Sequence, residues 1–311
     1  MGKQYLRHIK LTVEGANILD VSDFRIRFEI RQAHATTPNH MNVRINNLRS
    51  ETMQKALKEY KAVTLSVGWE DANQLTTIFK GEILQSRIGR ENVTDTYLHI
   101  LATSGERARN YGFVNKALAA GHTADDIVQL GVKAYQEYGV EPGFIESLGG
   151  QKAIRNFIGM GSAKDILRGI CEARGAWFHV CNNKLNVYKN TSSLPGNTTV
   201  LNSETGLVGL PEQTIYGIEG RCLLNPLLLP GSLVKIDEKS VQQAAFSPAY
   251  TGQANADFFP KIAADGIYRL ELVEHIGDNR SNEWYTEFVG VRKDDPISPA
   301  LAERGILGAS Q

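Results

Sequence analysis

The sequence predicts a β-rich α+β protein in which two antiparallel β domains flank a small α/β insert. Three observations support this fold class. The first hundred residues alternate apolar and polar side chains, which is typical of strands with one solvated face. Residues 106–196 change to helical spacing with capping signals. Residues 267–291 return to alternation around a turn rich in Gly, Asp, Asn and Ser.

Strands with one apolar side fill the first hundred residues. Apolar residues take every second position in 9–13, 26–30, 43–45 and 63–67, and further strands are predicted at 75–79, 81–87 and 96–102. An antiparallel sheet that is curled or closed into a small barrel satisfies this pattern. Between these strands, the spacing of Met53 and Leu57 predicts a short helix, capped by Ser50, that plugs one end of the barrel.

The middle of the chain carries helix signals. Two capping boxes, Thr123–Asp126 and Ser162–Asp165, predict the starts of two helices, the second of which ends at Gly175 in a left-handed conformation. Their predicted buried residues are Ile127, Leu130 and Ala134 in the first helix and Ile166, Leu167 and Ile170 in the second. Alternating residues on both sides of Asn182-Asn183 then predict a hairpin.

The last β domain is predicted to end in a hairpin with its turn at 277–282. Trp284 and Phe288 are expected to face the core of this domain, with Tyr285 and Glu287 on the opposite face. Upstream, the apolar run 223–230 contains two prolines, which cannot donate to a sheet, so we predict a strand end or a crossing.

These patterns divide the chain into four parts. The predicted parts are a β-barrel domain at 1–105, an α/β insert at 106–196, a second β-barrel domain at 197–293 and a tail at 294–311. Segment 242–265 has little periodicity and is predicted to be a functional or mobile loop.

The composition excludes a dedicated DNA-binding protein, because 34 Lys and Arg balance 34 Asp and Glu. Basic residues concentrate in the N-terminal strands and acidic residues in the last third, either as uneven solvated surface or as a gradient between two docking faces. The three cysteines, Cys171, Cys181 and Cys222, are expected to be reduced. We expect no signal peptide and no membrane anchor, and folding in a cytoplasm.

No pattern predicts catalysis or a cofactor. Gly159-Met-Gly161 lacks the third glycine of a dinucleotide fingerprint, the seven histidines have no metal-ligand spacing, and there is no GxSxG elbow. Capping explains the carboxylates of Asp125 and Asp126. We therefore expect no catalytic residue, metal or other cofactor, and we expect His275 to orient the closing hairpin through a hydrogen bond.

Between Thr205 and Val291 the chain carries an ordered series of short motifs: TGL-x-G-x-PE, LLNP, PG, V-x-I-D, DG-x-Y, V-x-H-x-GD and W-Y-T. This series resembles the baseplate hub proteins of contractile-tailed bacteriophages, and the resemblance extends from about Arg7 to Arg292. It implies two tube-like β-barrel domains with a smaller α/β domain, and three copies in a ring of pseudo-sixfold symmetry.

The resemblance also implies a function and partners. The expected protein is a structural subunit of the virion tail baseplate, assembled in the host cytoplasm, which adapts the sixfold tail tube to the threefold spike. Its expected partners are itself, the tail tube protein and the spike protein, with the tape measure protein as a further candidate, while DNA crosses the channel as a transient passenger.

Two groups of residues are expected to serve this assembly. The candidate contact between copies is Leu223, Leu224, Asn225, Pro226, Leu227, Leu228, Leu229 and Pro230, because an exposed apolar run usually marks an interface. The candidate structural residues of the hairpin are His275, Gly277, Asp278 and Trp284.

Three alternatives stay open. The first is a cell-wall-degrading tail enzyme that uses Asp125, Asp126 and His275. The second is the hub of a bacterial contractile secretion spike; the absence of a fused spike repeat after Pro296 argues against it, because such hubs usually continue into one. The third is a monomeric carbohydrate-binding β protein.

Overall fold

The computed structural model describes residues 7–15, 17–33, 38–69, 75–214, 216–236, 241–243, 263 and 265–295. Most of the predicted loop 242–265, the predicted tail from Pro296 and His34 lie outside these residues.

The elements alternate between long β stretches and a helical middle. The helices are α1 (Ser50–Glu59), α2 (Glu106–Tyr111), α3 (Ala124–Gln136) and α4 (Ala163–Ala173). The strands before α2 are β1 (Arg7–Glu14), β2 (Ile18–Asp20), β3 (Ile26–Ala33), β4 (His40–Asn46), β5 (Ala62–Trp69), β6 (Thr76–Arg90) and β7 (Thr96–Thr103). The middle strands are β8 (Phe113–Leu118), β9 (Glu141–Ile145), β10 (Phe157–Ser162), β11 (Ala176–Cys181) and β12 (Lys184–Lys189). The last strands are β13 (Thr199–Leu201), β14 (Leu207–Thr214), β15 (Gly217–Leu223), β16 (Leu233–Ile236), β17 (Gln242–Gln243), β18 (Ile267–Asp278) and β19 (Trp284–Arg292).

One sheet runs through both predicted β domains. Its hydrogen-bonded order is β17-β14-β15-β19-β18-β3-β4-β7-β6-β5-β1-β2, and β16 attaches β13 to β18. The expectation of two closed barrels is therefore wrong for the described residues, in which the sheet does not close. The reason is that β18 pairs antiparallel with β3 from Leu272↔Ala33 to Asp278↔Arg27, so the two halves cover each other's edge strands.

The first core confirms the predicted alternation. Its members from the first seven strands include Ile9, Leu11, Val13, Ile26, Phe28, Ile30, Val43, Ile45, Val63, Leu65 and Val67, all buried. Helix α1 is present, but Ser50 does not cap it: the cap residue is Arg49, without a side-chain hydrogen bond. Because the helix starts at Ser50, Met53 and Ala56 face the core, while Leu57 is 43% exposed.

The strands predicted at 75–79 and 81–87 form one continuous strand, β6. Gly81 does not break it, because it stays in the ladder opposite Val63. Instead, the pairing is irregular where β6 meets Leu65–Ser66 of β5, and again between Ile83 and Gln85.

The insert contains a two-stranded sheet, β8–β10, and a three-stranded sheet, β11–β12–β9. The Thr123–Asp126 capping box of α3 is present, whereas Ser162 makes no capping hydrogen bond. Gly175 is left-handed with φ 60°, as predicted. The β11–β12 turn also forms as predicted, with φ 50° at Asn182 and φ 62° at Asn183, values that asparagine tolerates better than most residues.

The β11–β12 hairpin fixes the insert to the large sheet. Asn39 Nδ2 donates to the Val180 carbonyl at 3.0 Å, and the Asn183 amide donates to Ser104 Oγ at 3.0 Å. The turn residues therefore serve both the local reversal and the contact between the insert and the sheet.

The β18–β19 hairpin spans two cores. Phe288 packs in the core of the last β segment, as predicted, but Trp284 packs in the first core. The Trp284 ring meets Phe28 edge-on at a centroid distance of 5.6 Å and Trp69 at 6.5 Å. The prediction that both aromatics face one core is wrong, because β18 lies on β3 and the hairpin tip therefore reaches the first core.

We predict that Trp284→Ala lowers the free energy of unfolding by about 3–5 kcal/mol, the usual cost of removing a buried aromatic side chain. Tyr285→Ala is the matched control, since Tyr285 lies next in sequence on the other, partly exposed face and should cost clearly less. Chemical denaturation of both variants measures the difference. Equal losses would contradict this packing of the hairpin.

Candidate functional site

The two groups of residues singled out in the sequence lie against each other. The Leu224 amide donates to the Trp284 carbonyl at 3.1 Å, and the Asn225 amide donates to Thr286 Oγ1 at 3.0 Å. The segment 223–230 therefore crosses the β18–β19 hairpin and is attached to β19. We call this unit, residues 223–230 with β18 and β19, the hairpin joint.

His275 lies at the centre of the hairpin joint and is fully buried. Its Nδ1 lies 2.9 Å from Thr286 Oγ1, and the two residues are cross-strand partners. Burial lowers the pKa of His275 to about 4, and the Leu228 carbonyl offsets this effect only partly. His275 is therefore neutral at pH 7, and its cross-strand hydrogen bond is the kind of contact that was expected of it.

The apolar run is partly buried within the chain itself. Leu224 belongs to the first core and Leu228 to the last, at 1% and 0% exposure, whereas Leu227 is 65% exposed. The expectation that one chain leaves this run uncovered is therefore wrong for Leu224 and Leu228. The physical reason is that the run crosses from one core to the other and fills a position in each.

Asp278 fixes the tip of the hairpin to the first half of the sheet. Its side chain is 1% exposed and accepts hydrogen bonds from Arg25 Nη2 at 2.8 Å and Arg27 Nε at 3.4 Å. The Arg280 amide donates to it at 2.9 Å. Burial alone would raise the pKa of Asp278, but these donors outweigh burial and lower it, so the carboxylate stays charged.

Neighbouring residues complete the attachment of the tip. Asn279 accepts from the Ile26 amide at 2.9 Å through Oδ1 and donates to the Phe24 carbonyl at 2.8 Å through Nδ2. Gly277 is needed for close approach, because a Cβ there would lie 2.5 Å from the Phe28 ring. Gly277 and Asp278 themselves belong to β18, so the turn is shorter than the predicted 277–282.

A buried ion pair lies at the other end of β18. Arg269 Nε donates to Glu271 Oε1 at 2.7 Å, and both side chains are almost completely buried. Arg269 also donates to the carbonyls of Asp295 at 2.9 Å and Ser192 at 3.3 Å, which joins β18 to the segment after β12. Sequence reasoning missed this pair, although two charges at alternate positions of an apolar strand were a usable signal.

The residues considered for catalysis have structural contacts. Asp125 accepts from the Leu148 amide at 2.7 Å, and Asp126 accepts from the Thr123 amide at 2.8 Å in the capping box. Burial raises the pKa of each cysteine thiol, Cys171, Cys181 and Cys222, to about 12.

The described ranges contain no candidate for a metal site or a membrane-spanning helix. There, no three His, Cys, Asp or Glu side chains come together in a way that could hold a metal ion. The helices of the same ranges are all too short or too polar to cross a membrane.

The Baseplate hub gp41 family model matches residues 9–241, about three quarters of the chain. The chain belongs to this baseplate hub family. It is therefore a structural protein of a phage tail and a component of the virion. No curated protein matches its sequence.

Solved phage tail proteins share the fold of this hub protein. The 43 kDa tail protein of prophage MuSo2 from Shewanella oneidensis superposes with a TM-score of 0.58 at 9% identity, over 93% of this chain and 99% of that one. The tail protein from Neisseria meningitidis MC58 gives 0.57 at 11% identity, over 95% and 99%.

A secretion protein has a similar fold. The E. coli c3393 protein, described as a component of the type VI secretion system with structural similarity to the T4 tail proteins gp27 and gp5, superposes with a TM-score of 0.55 at 15% identity. The alignment covers 90% of this chain and 77% of that one. At these identities the likeness concerns the fold alone.

The buried, neutral His275 predicts acid sensitivity. Its folded-state pKa of about 4 lies below the ordinary 6.5, so protonation favours the unfolded chain. Its contribution to stability is complete above pH 6.5 and is lost as the pH falls from 6.5 towards 4, by up to about 3 kcal/mol. We expect His275→Gln to remove this part of the pH dependence.

Denaturant unfolding between pH 7 and pH 4 measures the effect. Burial also lowers the pKa of His40 and His99, so some pH dependence should remain in His275→Gln. If His275→Gln kept the wild-type slope, the neutral, buried state assigned to His275 would be wrong.

Proposed function

We propose that this protein forms a homotrimeric ring in the tail baseplate, which adapts the sixfold tail tube to the threefold spike and lines part of the DNA channel. Its proposed partners are the tail tube protein above the ring and the spike protein below it, with the tape measure protein as a further contact. The domain limits predicted from the sequence, 1–105, 106–196 and 197–293, remain part of this proposal.

The observation that carries the proposal is the continuous sheet. A subunit that links sixfold to threefold symmetry must hold two β units in one fixed relation, so that three chains present six units. The β18–β3 pairing provides such a relation within one chain. Closed rings are the usual assemblies of identical subunits, which fits three copies around one axis.

The charge balance suits a channel. Binding to DNA phosphates depends on an excess of Lys and Arg, and the chain carries 34 basic and 34 acidic residues. A channel wall without a net positive charge lets DNA pass without holding it. This supports a conduit over a DNA-binding protein.

One observation favours a second candidate function. The similar fold of the type VI secretion component makes the hub of a contractile secretion spike the alternative. The enzyme alternative gains no such support, because Asp125, Asp126 and His275 make the structural contacts described above. A peptidoglycan turnover assay of the purified chain separates an enzyme from both hubs, and we expect no turnover.

Electron microscopy of the assembled tail tests the proposal directly. We expect three copies of the chain in the layer between tube and spike, with the two β segments of each chain at successive positions around the ring. One, two or six copies in that layer would contradict the proposal. A chain located in a secretion apparatus, and in no virion, would favour the alternative.

A further inference from the structure

The face of the large sheet opposite its first and last cores carries charges whose sign changes along the strand order, on either side of a small buried cluster of Leu272 and Val289. On β14, β15, β19 and β18 this face carries Glu212, Glu219, Arg221, Glu274 and Glu287. On β3, β4, β7 and β6 it carries Arg27, Glu29, Arg31, Arg44, His99 and Arg87. The basic N-terminal strands and the acidic C-terminal strands predicted from the sequence therefore form two oppositely charged surfaces at opposite ends of one sheet.

We name the first the acidic surface and define it by Glu212, Glu219 and Glu287 with Val208 and Leu210. These residues line a groove of about 280 Å³. Val208 and Leu210 are 40% and 57% exposed, next to the irregular part of β14. Exposed apolar residues rimmed by charge are typical of a protein interface.

The pairing of the strands places like charges opposite each other on the acidic surface, which costs free energy when no partner covers it. Glu212 lies directly opposite Glu219 across β14 and β15. Glu274 lies directly opposite Glu287 across β18 and β19, but the charge of Glu274 is balanced by Arg31, whose Nε lies 3.0 Å from Glu274 Oε1. Like charges in directly opposed positions destabilise a sheet. Arg221 donates to Glu287 at 2.8 Å, whereas none of the ion pairs among the described residues includes Glu212. A basic partner would relieve this repulsion.

We name the second the basic surface and define it by Arg44 and Arg87 with Leu84; His99, which lies between the two arginines, is buried. Arg44, His99 and Arg87 form one row across β4, β7 and β6, and Arg27 continues the row on β3. Arg27 pairs with Asp278, so this end of the row is neutralised. Leu84, at the irregular part of β6, is 51% exposed.

The other two arginines of the row contact ring side chains. The Arg44 guanidinium lies over the Tyr97 ring at 5.3 Å, and Arg87 Nε donates to His99 Nδ1 at 2.6 Å. In the described residues neither arginine forms an ion pair with a carboxylate. The basic surface therefore offers two positive charges in a fixed row.

We propose that the acidic surface of one copy binds the basic surface of the next copy, head to tail. This rests on the proposed ring and assigns the surfaces that close it. A second copy is the occupant because one chain carries both complementary surfaces, each with exposed leucine. Two different surfaces make a heterologous contact, and only a closed ring leaves neither surface free. A polyanion on the basic surface would leave the opposition of Glu212 and Glu219 unexplained.

Charge reversal with rescue tests the assignment by native mass spectrometry of the full chain. We expect the wild type to form trimers, and both Arg44→Glu with Arg87→Glu and Glu212→Arg with Glu219→Arg to be monomeric. The chain that carries all four substitutions should regain the trimer, because complementarity returns with the signs exchanged. Lys133→Glu, at an exposed lysine of α3, is the control and should stay trimeric.

Leu210→Ser is a second variant, at an exposed residue whose replacement should leave folding intact, and we expect a weaker trimer. Wild-type chains that stay monomeric, reversed pairs that remain trimeric, or a folded fourfold variant that stays monomeric would each overturn the assignment. Reversed pairs that remain trimeric would leave the proposed function standing. A tail layer without three copies would instead overturn the proposed function.

Discussion

The pairing of β18 with both β19 and β3 is the constraint on which the remaining structure depends. This strand hydrogen-bonds to β19 on one edge and to β3 on the other, so no sheet edge separates the first and last parts of the chain. Pairing alone leaves the angle between two β segments adjustable. Here the hairpin tip is also fixed, because Asp278 is buried under Arg25 and Arg27 and its charge is costly without them.

Other features follow from this junction. Segment 223–230 crosses the hairpin and fills both cores with Leu224 and Leu228, so it helps to join the two halves. Arg269 and Glu271 make a polar connection at the other end of β18, where Ser192 and Asp295 accept hydrogen bonds from Arg269. A chain joined in this way presents two β segments as one body, which suits a symmetry adaptor in the baseplate of its family.

Features that depend on a few neighbouring residues, such as strands, helix starts and turns, could mostly be predicted from the sequence. Alternation identified most strands and their buried faces, the Thr123–Asp126 box marked the start of α3, and Asn182-Asn183 marked a turn. These features depend on backbone preferences and on period, both of which a single sequence contains. The capping box predicted at Ser162 did not form. Helix α1 includes Ser50 instead of being capped by it, and its buried residues are Met53 and Ala56.

The long-range features were beyond sequence reasoning. Alternation says which face of a strand is buried, but not which strand lies beside it, so β18–β3 pairing was not predicted and Trp284 was assigned to the wrong core. For the same reason the candidate site was predicted only in part. The sequence pointed to His275 and Asp278 but not to their partners Thr286, Arg25 and Arg27, which lie on neighbouring strands. The row of Arg44, His99 and Arg87 likewise depends on register, which only the structure provides.

Calorimetric unfolding of the wild type and of Asp278→Ala tests the central claim most directly, that the hairpin joint makes two β segments one cooperative unit. The account predicts a single transition for both segments in the wild type, because neither completes its core without the shared hairpin. In Asp278→Ala the two arginines lose their buried partner, and the account predicts a lower midpoint at which both segments still unfold together. Two separate wild-type transitions for the β segments, or a variant that unfolds like the wild type, would contradict it.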